Sequence, residues 1–121
     1  MEENKVTEYF LGLLGQIKLF HWATMSFAQH KALDELHGSI SDLVDRFVEV
    51  FIGKFKKQPL KSFKITMTAV SDMTKLDKFL ESERETLRKM HGQLIKVSEL
   101  QNILDEMMAE LDKAIYLCNL T

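Results

Sequence analysis

The sequence predicts an all-α protein: an antiparallel four-helix bundle with a long connector between the second and third helices, built as a single domain over residues 1–121. Three observations predict it. One proline, Pro59, and five glycines are spread through 121 residues, so little interrupts long helices. Apolar residues make up 45% of the chain, enough to bury a core. Those residues recur at spacings of three and four in four separate segments, the helical period.

The first segment covers 3–22. Val6, Phe10, Leu13, Leu14, Ile17 and Phe20 carry its period, and His21 extends the row Phe10, Leu14, Ile17, so it is expected to face inward. The second covers 27–55, with Leu33, Leu36, Ile40, Leu43, Val44, Phe47, Val48 and Phe51 inward and Ser26 as its N-cap. The stretch "GKFKKQPLKSFKITMTAV", 53–70, has another texture, with five lysines from Lys54 to Lys64. It reads as a solvated connector crossing from one end of the bundle to the other. The competing reading is a weak anion or nucleic-acid patch, but Phe55 and Phe63 are too few aromatics to argue base stacking. The third segment covers 72–94, with Leu76, Phe79, Leu80, Leu87 and Met90 inward. The fourth covers 98–119, with Leu100, Ile103, Leu104, Met107, Leu111, Ala114, Ile115 and Cys118 inward, and Ser98 with Gln101 has capping-box spacing.

Charge and cysteine usage exclude some classes. A net charge of −2 is not the basic footprint of a nucleic-acid-binding domain. The single cysteine, Cys118, cannot close an internal disulfide or support a Cys-based zinc site, and reads as a buried small apolar residue. No apolar run reaches the roughly 20 residues of a membrane-spanning helix. The start, "MEENKVTEYF", lacks the basic start and apolar block of a secretory signal, so a cytoplasmic location and no membrane partner are expected.

One constellation could carry chemistry. On the second helix, Asp45 and Glu49 stand one turn apart and share a face with His30. His30 and Asp45 are separated by about 22 Å of helix, too far to share a metal within one chain. Two such helices crossing antiparallel near Gly38 would bring His30 of one subunit to Asp45 and Glu49 of the other. A glycine inside a long helix costs about 1 kcal/mol against alanine, and close approach of two backbones is one reason to keep it. His21 ends the first helix where His30 opens the second, so the two imidazoles can lie side by side. Two imidazoles and two carboxylates suit Fe(II), and also Zn, Mn or Co. Taken singly, each residue has a plainer reading: a histidine satisfied in the core, a solvated acidic helix face, a core or interface Trp22. His37 and His91 are structural by default.

With these residues in view, the sequence resembles the Dps family, the ferritin-like mini-ferritins that protect DNA from iron and peroxide. The resemblance rests on "HW" at His21 and Trp22, on Phe27 three residues before His30, and on "DRFVE" from Asp45 to Glu49. It implies an inter-subunit ferroxidase site with iron ligands His21, His30, Asp45 and Glu49, and with Trp22 as a redox-buffering neighbour. It also implies a homodimer or higher homo-oligomer that takes Fe(II) and passes electrons to peroxide or oxygen, for iron detoxification and storage. The chain has no lysine-rich N-terminal tail, so DNA binding is expected to be weak or absent. The alternative expectation is a ferritin-like bundle of viral or phage origin, used for assembly or partner binding, whose metal ligands are relics.

Overall fold

The computed structural model describes residues 3–56 and 62–120. They form four helices: α1 (Glu3–Ala23), α2 (Phe27–Phe55), α3 (Leu76–Gln93) and α4 (Ser98–Cys118). No strand occurs among the described residues. The buried apolar residues of all four helices form one cluster, including Phe10, Ile17, Leu33, Phe47, Leu80, Leu104 and Met107. Phe10 of α1 meets Phe47 of α2 edge-on, with ring centroids 5.1 Å apart, a preferred aromatic geometry.

Contacts fix the helix directions. Lys54 Nζ lies 3.8 Å from Glu99 Oε2 at one end of the α2–α4 pair. Gln29 Nε2 donates to the Cys118 carbonyl at 3.2 Å at the other end. The two helices are therefore antiparallel. The short turns after α1 and α3 make each of these helices antiparallel to the one that follows, so α3 runs parallel to α2. A chain leaving α2 must cross the full length of the bundle before α3 can begin. The expected connector does this over 62–75, whereas Lys57, Pro59 and Lys61 lie outside the described residues. No helix among the described residues is long and apolar enough to cross a membrane.

The crossing segment lies as an extended strap along α1, where one side chain holds it. Gln16, 9% exposed, donates Nε2–H to the Thr68 carbonyl at 2.9 Å, and its Oε1 accepts the Thr68 N–H at 2.9 Å. The amide side chain thus pairs with the strap as a neighbouring backbone would. The approach is close at Gly15, where an added Cβ would sit 2.7 Å from Met67 Cε. With the strap between them, α1 and α3 meet mainly through side chains, such as Phe20 on Phe79 with centroids 4.9 Å apart.

Two sequence expectations need correction. The third helix begins at Leu76 rather than 72, because Asp72 accepts hydrogen bonds from the Thr74 N–H at 2.9 Å and from its hydroxyl, a side-chain turn that competes with helix. Ser98 is not a capping residue: Val97 is the N-cap of α4, with no side-chain cap. Gln101 instead donates Nε2–H to the His91 carbonyl at 3.0 Å, closing the end of α3. Ser26 caps α2 as expected, its hydroxyl accepting the Gln29 N–H at 3.2 Å.

Gln16→Ala removes two hydrogen bonds, while the exposed Thr68 can turn to water. A loss of about 1–2 kcal/mol is expected from urea unfolding, with faster amide exchange at Thr68.

Candidate metal centre

The α1–α2 turn is only Thr24 to Ser26, and side chains tie it at both ends. Thr24 N–H returns to the Phe20 carbonyl at 3.1 Å, and the Thr24 hydroxyl donates to Gln29 Oε1 at 2.7 Å. Ser26 N–H donates to the Thr24 hydroxyl at 3.1 Å, and His30 N–H to the Ser26 carbonyl at 2.9 Å. So tight a turn brings the last residues of α1 against the first turn of α2.

His21 and His30 consequently stack, with ring centroids 3.9 Å apart and planes 21° apart. Each ring bonds the backbone of the other residue. His21 Nδ1 lies 2.9 Å from the His30 carbonyl oxygen, and His30 Nδ1 lies 3.1 Å from the His21 carbonyl oxygen. A carbonyl only accepts, so both Nδ1 atoms carry the proton. In the neutral rings both Nε2 atoms then keep their lone pairs. Metal-binding histidines commonly have this arrangement, the second ring nitrogen anchored to a carbonyl. Neither Nε2 has a hydrogen-bond partner among the described residues, and that of His21 stays open to solvent although the residue is 7% exposed. His21 faces inward as its sequence row requires, and His30 is exposed.

Asp45 and Glu49 lie on the exposed face of α2, one turn apart, with no ion pair among the described residues. Arg46 beside them is turned to Glu106. Like charges at this spacing destabilise a helix by a few tenths of a kcal/mol unless a cation lies between them. Because α2 is continuous from Phe27 to Phe55, the separation of about 22 Å from His30 stands. Within one chain the structure brings the two histidines together and the two carboxylates together, but not the pairs to each other. No group of three or more such ligands forms among the described residues.

Trp22 is 70% exposed, beside His21 but outside the core. His37 is half-buried near the Lys18–Asp34 pair (3.8 Å); burial and the Lys18 charge hold its imidazole below the usual histidine range. His91 is occupied by Asp105, 3.2 Å from its Nε2. Gly38 sits at the middle of α2 with nothing within 4 Å of an added Cβ, so packing within the chain does not require a glycine there. Cys118 is buried as expected, and burial with the nearby Asp77 charge pushes its thiol up to about 11. Gln29 was not expected to act, yet it links the turn to the end of α4. Its signal was the Ser26-x-x-Gln29 spacing, the same capping pattern read at Ser98.

Residues 21–118 match the model of a protein family described as a family of unknown function, DUF5856, and the chain belongs to that family. The match begins at His21 and takes in all four candidate ligands. The chain is also similar to an "Uncharacterized 14.6 kDa protein in mobD-ri intergenic region" of Enterobacteria phage T4. The two are 26% identical over 122 residues, covering 97% of this chain and 90% of the relative. No solved structure matches. These findings overturn the Dps resemblance, since the chain belongs to a different family. The physical reason is that the motifs are short. A histidine row ending one amphipathic helix and an acid pair on the next arise in many helical hairpins.

In ¹⁵N-resolved NMR, the neutral forms of His21 and His30 should both be the Nδ1–H tautomer; an Nε2–H tautomer at either neutral ring would contradict the two carbonyl bonds. At pH 8 roughly one Cys118 in a thousand is thiolate, so alkylation of the folded chain should be slow and rise about tenfold per pH unit up to about 11. Urea-unfolded chain should react at the rate of an ordinary thiol.

Proposed function

We propose that this DUF5856 member binds a divalent transition metal between two copies of itself, with Fe(II) as the substrate it oxidises. His21 and His30 of one copy and Asp45 and Glu49 of the partner subunit make up each site. The observation that carries this reading is the reciprocal bonding of the two stacked histidines, which commits each Nδ1 to a carbonyl and leaves one lone-pair nitrogen on each ring. Two neutral imidazoles and two carboxylates fit the borderline ions, Fe(II) among them. Asp45 and Glu49, without an ion pair among the described residues, supply the charge that such a cation needs. An antiparallel pairing of two α2 helices, centred near Gly38, closes the 22 Å gap at both ends at once.

In this reading the protein's own groups do the positioning. The carbonyl-anchored rings hold Nε2 in place, and the carboxylates neutralise charge as it rises from Fe(II) to Fe(III). Two Fe(II) ions give one electron each to hydrogen peroxide, which with two protons leaves as two waters. The reading also places the chain in the cytoplasm, where thiols such as Cys118 stay reduced.

A second reading, an assembly or partner-binding module with relic ligands, is favoured by one observation. Trp22, Met25 and Phe27 are 70%, 97% and 75% exposed around the same turn, an unusual apolar group on a small surface.

Anaerobic titration with Fe(II) followed by peroxide separates the two. The leading reading expects about two irons per chain, a pair at each site, with ferric absorbance lost in His30→Ala and in the double variant Asp45→Ala, Glu49→Ala. Ferric absorbance unchanged by these substitutions would remove the site. Sedimentation should show a dimer at micromolar concentration, weakened by Gly38→Leu; a monomer with or without metal would overturn the inter-subunit geometry.

A further inference from the structure

On a different side of the bundle, α1, the strap and α3 enclose a cleft of about 1080 Å³. That volume is at the top of the range of small-molecule sites. No residue of α2 lines it, so it stands apart from the metal reading. Leu13, Phe20, Val70 and Phe79 give it an apolar wall. Into this wall project two polar groups from different helices. The Tyr9 hydroxyl donates to Glu83 Oε2 at 2.9 Å, across 74 residues of sequence.

Glu83 is the group the fold leaves unanswered. It is half-buried, yet it makes no ion pair among the described residues. One carboxylate oxygen has the Tyr9 hydroxyl; the other has no partner among the described residues and stays open to solvent. Burial pushes the Glu83 carboxyl above the usual carboxylate range, and the Tyr9 hydroxyl bond offsets this only in part. The other charges that line the cleft, Lys5, Lys75 and Lys78 against Glu8 and Asp72, nearly cancel. The three lysines are exposed, so water screens them.

We infer that this cleft binds a small organic ammonium with an apolar body, its nitrogen held by the open oxygen of Glu83 and the Tyr9 hydroxyl. A cationic nitrogen supplies the counter-charge that Glu83 lacks and donates hydrogen bonds that only acceptors can take. The apolar body rests on Phe20, Phe79, Leu13 and Val70. The strap forms one wall, and Gln16 fixes its distance from α1.

The test is an NMR titration of the full chain with three probes of one shape, 2-phenylethylammonium, 2-phenylethanol and phenylacetate, read at the amides of Gly12, Gly15 and Thr68. The ammonium is expected to bind about tenfold tighter than the alcohol, with phenylacetate weakest. Glu83→Gln should bring the ammonium down to the level of the alcohol and leave the alcohol unchanged. Tyr9→Phe, which keeps the ring, should weaken the ammonium by a few-fold, and serves alone if the Glu83 variant does not fold. Equal binding of ammonium and alcohol, tighter binding of phenylacetate, no binding of any probe, or an ammonium affinity untouched by either variant would overturn the assignment.

Discussion

An unbroken α2 is the constraint on which the other features depend. At about 1.5 Å per residue, its 29 residues span about 43 Å. Its long apolar face seats both α1 and α4, which pack on it from two sides. Because it does not bend back, the chain leaves it at the far end and must return along the outside of the bundle. The strap, the notch at Gly15 and the pairing of Gln16 with Thr68 all follow from that return. So does the distance between the histidine pair and the acid pair, which a kinked or shorter helix would have altered.

Energy and geometry are supplied by different residues. Burial of residues such as Phe10, Phe47, Leu80 and Leu104 drives the collapse, at roughly 25 cal/mol per Å² of apolar surface. Exposed ion pairs such as Arg88 with Glu85, at 3.5 Å, add little, since water and side-chain entropy offset them. The few inward polar groups act differently. Gln16 and His21 contribute modest net energy, but each is satisfied in only one arrangement. They select where the strap lies and how the first hairpin closes, which apolar contact alone would leave loose.

Much of this frame was legible in the sequence. The three- and four-residue spacing located all four helices, because each buries one stripe and α2 kept its expected ends at 27 and 55. Ser26 was legible because an N-cap is a local matter. His21 was legible because it continues an apolar row. The start of α3 was not, because Asp72 and Thr74 form a turn whose strength depends on two side chains meeting. The exchange of roles between Ser98 and Gln101 was hidden too, since Gln101 finds its partner on the preceding helix. Tyr9 and Glu83 gave no signal, as no pattern links positions 74 apart. The family resemblance misled because its motifs record local helical spacing, which unrelated hairpins share.

The two polar ties also differ in the length of chain they close. His21 and His30 are nine residues apart, whereas Gln16 and Thr68 are 52 apart. Loop-closure entropy makes the longer tie costlier by about 1.5 kcal/mol. The histidine pair is thus a low-contact-order staple, able to form while the rest of the chain is still open. The strap is the opposite kind of element, a high-contact-order layer seated on helices that are already paired. It is the part of the fold that can lift in a sub-global opening, baring the side between α1 and α3 while both hairpins stay folded.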